Sequence, residues 1–172
     1  MSLSSKNDQV IIMKWEEIGD QPCSVARTLS VLGDRWTMLI LRNAFMGIRR
    51  FDDFQRSLGL TRHVLSERLK RLVEHGILTK VPYVERQERF EYQLTDKGLD
   101  LYPLILAMVQ WADKWMDMGL GKPIEFTHKT CGHKFNSKVV CSECNEPLNV
   151  KDVHVSAGPG YFAFIEQKQN SA

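Results

Sequence analysis

The stretch LTRHVLSERLKRLVEHG, residues 60–76, constrains this chain more than any other. Val64, Leu65, Leu69, Leu72 and Val73 recur at helical spacing, so one side can be buried while His63, Ser66, Glu67, Lys70, Arg71 and Glu74 stay outside. Gly59 ahead of it, Thr61 as an N-cap and Gly76 behind it set its limits. An ordinary solvated helix also carries Lys and Arg, so the basic face acquires meaning only from its neighbours.

Those neighbours are specific. Residues 51–58 repeat Phe51, Phe54 and Leu58 at helical intervals, and Gly59 and Leu60 join them tightly to the next helix, which makes a helix-turn-helix. After Gly76 the period changes: residues 77–84 and 90–94 read as two strands, separated by the charged run from Glu85 to Arg89. Phe90, Tyr92 and Leu94 fall on one strand face. A helix-turn-helix followed at once by a hairpin is a winged helix. Upstream, Pro22 and Cys23 precede a helix whose apolar positions are Val25, Ala26, Leu29, Val31 and Leu32 and which ends near Gly33. A second helix is expected over residues 36–46, with Leu39, Ile40, Ala44 and Phe45 toward a core, and Gly47 stops it. Thr95 and Asp96 are placed to cap a later helix whose first turns Gly98 and Pro103 weaken.

That later helix carries Leu101, Leu104, Ile105, Met108, Trp111, Ala112, Trp115 and Met116, more apolar surface than a small core readily consumes. It packs within the monomer or pairs with its copy in a second subunit, which would relate two reading heads by a two-fold axis. Charge is uneven as well. The chain carries a net +2, yet between residues 42 and 71 eight Arg and Lys stand against three Asp and Glu. A local excess on a nearly neutral protein points to a directed anionic partner, with nucleic acid the first candidate.

At 172 residues, 43% hydrophobic, the chain suits one domain with an appendage. The N-terminal residues have neither the apolar length of a membrane span nor the pattern of a secretory signal, so a cytoplasmic protein without a membrane partner is expected. Residues 1–21 read as a tail or arm, with a short apolar run at 10–13 and Trp15.

Four cysteines are too few for a disulfide scaffold in a chain of this size. Three of them lie in HKTCGHKFNSKVVCSECNEPL, which has two halves of similar shape. His128-x2-Cys131-Gly132 resembles one zinc knuckle and Cys141-x2-Cys144-Asn145 another, with Asn where Gly would often allow a left-handed turn. One imidazole and three thiolates suit a tetrahedral, structural Zn2+ with no open position for catalysis. His133 is the rival imidazole; His128 gives both halves the same spacing. The alternative is a metal-free ribbon in which Val139, Val140, Leu148 and Val150 hold the turns together. Gly119 and Gly121 end the main domain, so the expected division is 22–118 for the main domain, 119–127 for a linker, 128–165 for the zinc ribbon-like tail and 166–172 for a flexible terminus. Tyr161, Phe162 and Phe164, after the break at Gly158, Pro159 and Gly160, are expected to cover the ribbon or a dimer groove.

The segments CSVARTLSVLGDRW, ILRNAFMGIRRFDDFQ, VLSERLKRLVEHGIL and FEYQLTDKG occur in unbroken order between residues 23 and 118 and closely resemble the HxlR-type family of bacterial winged helix-turn-helix transcriptional regulators. The resemblance implies a mainly α fold with a β-hairpin wing, acting as a homodimer whose N- and C-terminal helices form much of the contact. It makes Leu101, Leu104, Ile105, Met108, Trp111, Ala112 and Trp115 dimerisation residues, residues 51–58 the positioning helix, 61–74 the recognition helix and 77–95 the wing. Thr61, Arg62, His63, Ser66 and Lys70 are then directed at the major groove, Arg86 and Arg89 at phosphates or the minor groove from the wing, and Arg49 and Arg50 at the backbone. Arg68 lies nearer the buried side of the helix and suits a structural ion pair, and Glu67 a framework hydrogen bond. Many relatives carry proline near the wing tip, where this chain has GluArgGlnGluArg. Some members sense oxidants through a cysteine at the start of the first helix, which makes Cys23 a candidate redox residue, since a helix N-terminus favours thiolate. Zinc ribbon-like tails also occur in a subset of relatives.

The function expected is therefore sequence-specific binding of double-stranded operator DNA at an inverted repeat, modulated by a small-molecule effector or by thiol oxidation. The rival reading is a winged-helix protein-interaction module with Trp111 and Trp115 on its partner surface. An enzyme is not expected, because His63 and His75 lack an evident acid or nucleophile partner.

Overall fold

The computed structural model describes residues 14–84 and 89–170. Its apolar positions sort as the spacing of the sequence demands. Leu65, Leu69 and Leu72 form the buried side of α4 (Arg62–Glu74); Phe54 of α3 (Phe51–Leu58) and Ile40 and Leu41 of α2 (Thr37–Phe45) are buried as well, and α3 packs on both α2 and α4. Each of these six side chains is at most 1% exposed, and each contributes about 1.5–3 kcal/mol of burial free energy. The core also holds two polar side chains of α2, Thr37 and Asn43, where only apolar positions were expected. Asn43 is satisfied: its amide donates to Ser57 Oγ at 3.0 Å and its oxygen accepts from Arg42 at 2.9 and 3.1 Å.

The turn from α3 into α4 depends on backbone chemistry. Gly59 sits at φ 65°, in the left-handed region that a side chain disfavours, and its N–H donates to Gln55 O at 2.9 Å. Thr61 then caps α4, its hydroxyl accepting from Val64 N at 3.4 Å. At the far end Gly76, at φ 65°, turns the chain so that Ile77 N reaches Leu72 O at 2.9 Å. Lys97 Nζ donates to His75 O at 2.8 Å, which places a cation on the C-terminus of α4.

The wing is an antiparallel pair of β1 (Leu78–Val84) and β2 (Arg89–Leu94), with Leu78 opposite Leu94, Pro82 opposite Phe90, and a bulge between Pro82 and Val84. Ile77, expected to open the first strand, instead precedes it and is buried. The sequence did not announce a third partner: Arg50 bridges Glu91, and Tyr92 N donates to Arg49 O at 2.8 Å. The wing is thereby hydrogen-bonded to the residues that open α3.

The helix after the wing is broken in two. Thr95 caps the single turn α5 (Asp96–Leu99) by accepting from Gly98 N at 3.1 Å, and its hydroxyl donates to Gly76 O at 2.6 Å. Gly98 is required by close approach, because a Cβ there would lie 2.3 Å from Ile77 O. A new helix, α6 (Tyr102–Trp115), then starts with Pro103 in its first turn, where a missing N–H costs nothing. Its Ile105 is buried within the subunit, whereas Leu104, Met108, Trp111 and Trp115 are exposed. Ile105 thus serves the core and not an exposed dimer face; Leu101 and Ala112 are half-buried.

Residues Arg35–Ala157 form one compact unit, and Met1–Asp34 with Gly158–Ala172 form another. Within the second, a 3-10 turn (Trp15–Asp20) packs on α1 (Ser24–Leu32), with Gly19 against Ser30 and Gly33 against Trp15. α7 (Pro159–Asn170) belongs to this unit. The helix runs across the expected boundary at 165 to Asn170, and Tyr161 and Phe162 are exposed. Of the expected arm at residues 1–21, residues 1–13 lie outside the described residues.

Candidate nucleic-acid interface

With its apolar side in the core, α4 presents Thr61, Arg62, His63, Ser66 and Lys70 to solvent along one front. Their side chains are held by local partners. Arg62 Nη1 lies 3.3 Å from Asp52 Oδ1, and its guanidinium stands 4.8 Å from the Phe51 ring centroid. His63 Nε2 is 3.7 Å from Glu67, and Lys70 Nζ is 3.6 Å from Glu74. All these pairs are exposed, so they orient side chains without committing much energy, about 0–1 kcal/mol each. A phosphate or a base edge can compete for Arg62 and Lys70. Arg68 is half-buried, as its place on the helix predicted, and Glu67 serves the pair with His63.

Further cations lie where α3 faces the wing. Arg50 occupies the N-cap position of α3, its Nε 3.5 Å from Glu91 and its guanidinium 4.7 Å over the Tyr83 ring. Arg50, Arg56, Arg62 and Arg89 line one groove between the start of α3, the start of α4 and the wing, with Asp52 and Asp53 also in it. Burial pushes the Tyr92 phenol of this groove above its usual range, so it stays a neutral hydroxyl. Arg49 and Arg50 are exposed beside it. Arg86 lies outside the described residues.

Sequence reasoning missed Arg56. Its signal was the ordinary one of an exposed charge on a short helix, paired at 3.2 Å with Asp53, and only the return of the wing places it in a shared groove.

Other expected site residues are distributed elsewhere. Cys23 is an exposed free thiol at the N-cap of α1. In the tail, His128 Nδ1 is 3.4 Å from Cys131 Sγ, and Cys141 and Cys144 also reach one another through a side-chain hydrogen bond. The Cys141 thiol is held below its usual range, first by the backbone N–H of Cys144 and then by that of Glu143. The structure thus pairs the four tail residues two by two, and among the described residues it gathers no group of three such ligands. Among them, too, no helix is long and apolar enough to cross a membrane.

Comparison with known proteins agrees with this geometry. A family model described as HxlR-like helix-turn-helix matches residues 31–119. Rv3095 of Mycobacterium tuberculosis, described as an uncharacterised HTH-type transcriptional regulator, is 44% identical over 140 residues, which cover 81% of this chain and 89% of that protein. This alignment is longer than the family segment and takes in part of the cysteine-bearing tail. Among solved structures, the proposed transcription factor PA1607 is 40% identical with a TM-score of 0.71, over 79% of this chain and 95% of that one. The redox regulator HypR in its reduced form is 30% identical with a TM-score of 0.52, over 55% of this chain and 95% of that one.

Proposed function

The chain belongs to the HxlR-like helix-turn-helix family of transcriptional regulators, which is not an enzyme family, and on that premise we propose that it acts as a homodimer on an inverted-repeat operator. The observation that carries this reading is the front of α4, where Thr61, Arg62, His63, Ser66 and Lys70 are exposed together beside the arginine-lined groove of the wing. α4 enters the major groove, where Arg62 and Lys70 meet base edges or phosphates and Ser66 and His63 offer shorter polar reach. Arg50, Arg56 and Arg89, with Arg86 from the sequence between the two strands, take the flanking backbone, each neutralised phosphate releasing counterions.

Dimerisation rests on the row Leu104, Met108, Trp111 and Trp115, spaced three and four residues apart on α6 and left exposed by the subunit. A two-fold pair of such helices sets two recognition helices on successive half-sites. The signal that modulates binding is either a small molecule held near these helices or oxidation of Cys23. The likeness to HypR, described as a redox regulator, and the exposed position of the Cys23 thiol at a helix start favour the second.

Footprinting on a selected operator, with the bound mass measured by sedimentation, tests this reading. Two chains protecting two symmetric half-sites are expected. A single chain on an asymmetric site, or binding indifferent to sequence and salt, contradicts it.

A further inference from the structure

The tail builds one backbone turn twice. In the first half, Gly132 N donates to His128 O at 2.8 Å, His128 N donates to His133 O at 2.9 Å, and Thr127 bridges Lys134. In the second, Asn145 N donates to Cys141 O at 2.9 Å, Cys141 N donates to Glu146 O at 2.9 Å, and Val140 bridges Pro147. Partner for partner, the two are the same hairpin. Both place a residue in the left-handed region directly after their last cysteine, Gly132 at φ 72° after Cys131 and Asn145 at φ 61° after Cys144. Asn145 is the one non-glycine residue at positive φ among the described residues, and asparagine is among the few side chains that enter this region readily.

No apolar core holds the two turns together. Val139, Val140, Leu148 and Val150, which a metal-free ribbon needs as its core, are 68%, 41%, 43% and 90% exposed, and no residue between 128 and 157 is buried. A segment this small without a core usually relies on disulfides, a metal or oligomerisation, and its three cysteines are free thiols with metal-ligand spacing.

We propose that the two turns close on one zinc ion, with His128, Cys131, Cys141 and Cys144 as its four ligands. The imidazole and thiols within each turn already stand side by side. Three soft sulfurs and one nitrogen select tetrahedral zinc over the hard, oxygen-seeking divalent cations. The first turn is anchored, since Ser137 Oγ donates to Gln110 Oε1 of α6 at 2.7 Å, Lys122 Nζ to Asn136 at 2.8 Å, and Lys134 pairs with Glu125. Zinc therefore draws the second turn onto the first and fixes the tail on the helix that carries Trp111 and Trp115. With all four positions filled by protein, the ion is structural. This site is independent of how the chain binds DNA.

The test uses the full chain, purified without chelator, with metal measured by atomic spectrometry. One zinc per chain is expected; Cys131→Ser, Cys141→Ser and Cys144→Ser each lose it, and His128→Ala weakens it while His133→Ala does not. Full zinc occupancy in Cys144→Ser, or no zinc in reconstituted wild type whose circular dichroism shows a folded protein, overturns the site. Loss on His133→Ala with retention on His128→Ala overturns the ligand set. Should the cysteine variants fail to fold, cobalt titration of the wild type decides. Intense tetrahedral absorption with thiolate charge transfer supports the site, and a pale six-coordinate spectrum refutes it.

Discussion

Arg62→Ala separates the folding role of a side chain from its role on DNA. In the free protein Arg62 has two partners, Asp52 at 3.3 Å and the Phe51 ring at 4.8 Å, and its side chain is 72% exposed. An exposed ion pair contributes about 0.2–1 kcal/mol, and an exposed cation–π contact about 0.5–1 kcal/mol. The variant should lose no more than about 2 kcal/mol of stability and keep the fold, whose core begins only at Leu65 on this helix. On the operator the loss is larger. A bidentate base contact discriminates by about 1–3 kcal/mol, so specific affinity should fall on the order of 5- to 150-fold. Nonspecific binding should fall less. Asp52→Asn gives the opposite sign, because it frees Arg62 and removes a negative charge from the groove, and affinity should rise. Fluorescence anisotropy against operator and scrambled duplexes, with urea unfolding alongside, reads all of these. Arg62→Ala with unchanged operator affinity and unchanged preference for operator over scrambled DNA would refute the assignment.

Gly98→Ala should destabilise the protein by about 1–3 kcal/mol in urea unfolding, because the added methyl meets Ile77 O at 2.3 Å; the usual gain of Gly→Ala in a helix would show instead if the site were open. The double change Trp111→Ala and Trp115→Ala, at positions 60% and 65% exposed, should leave the subunit folded while sedimentation shows dimers dissociating at higher protein concentration. An undisturbed dimer would remove the exposed face of α6 from the interface. Mild oxidation should change operator affinity in the wild type and leave Cys23→Ser unaffected; an identical response in both excludes the thiol.

The winged helix was legible because its signals are local. The spacing of Leu65, Leu69 and Leu72, the cap Thr61 and the glycines at 59 and 76 each act within one turn of the chain, and the structure uses all of them. Harder to read were features that depend on distant segments. Arg50 meets Glu91 across the fold, and Arg56 joins the arginine groove only when the wing folds back. The burial of Ile105 depends on which side of α6 the core takes. Gly98 looked like a helix breaker and is a point of close contact, a distinction that requires the position of Ile77 O. α7 was missed because Gly158, Pro159 and Gly160 read as a break, although proline at a first helical position suits a helix start. In the tail, the repeated spacing foretold two turns of equal geometry down to the left-handed Asn145, whereas no local signal sets how those turns stand to one another.

The central claim is sequence-specific recognition of duplex DNA by α4 and the wing. The measurement that tests it most directly is selection of genomic fragments by the purified protein in excess nonspecific DNA, followed by sequencing of the retained duplexes. The account predicts enrichment of one compact inverted repeat near promoters, with binding that weakens steeply as salt rises. Failure of a folded dimer to enrich any site, in both thiol states of Cys23, would contradict it and make the exposed tryptophans of α6 the surface of a protein-interaction module.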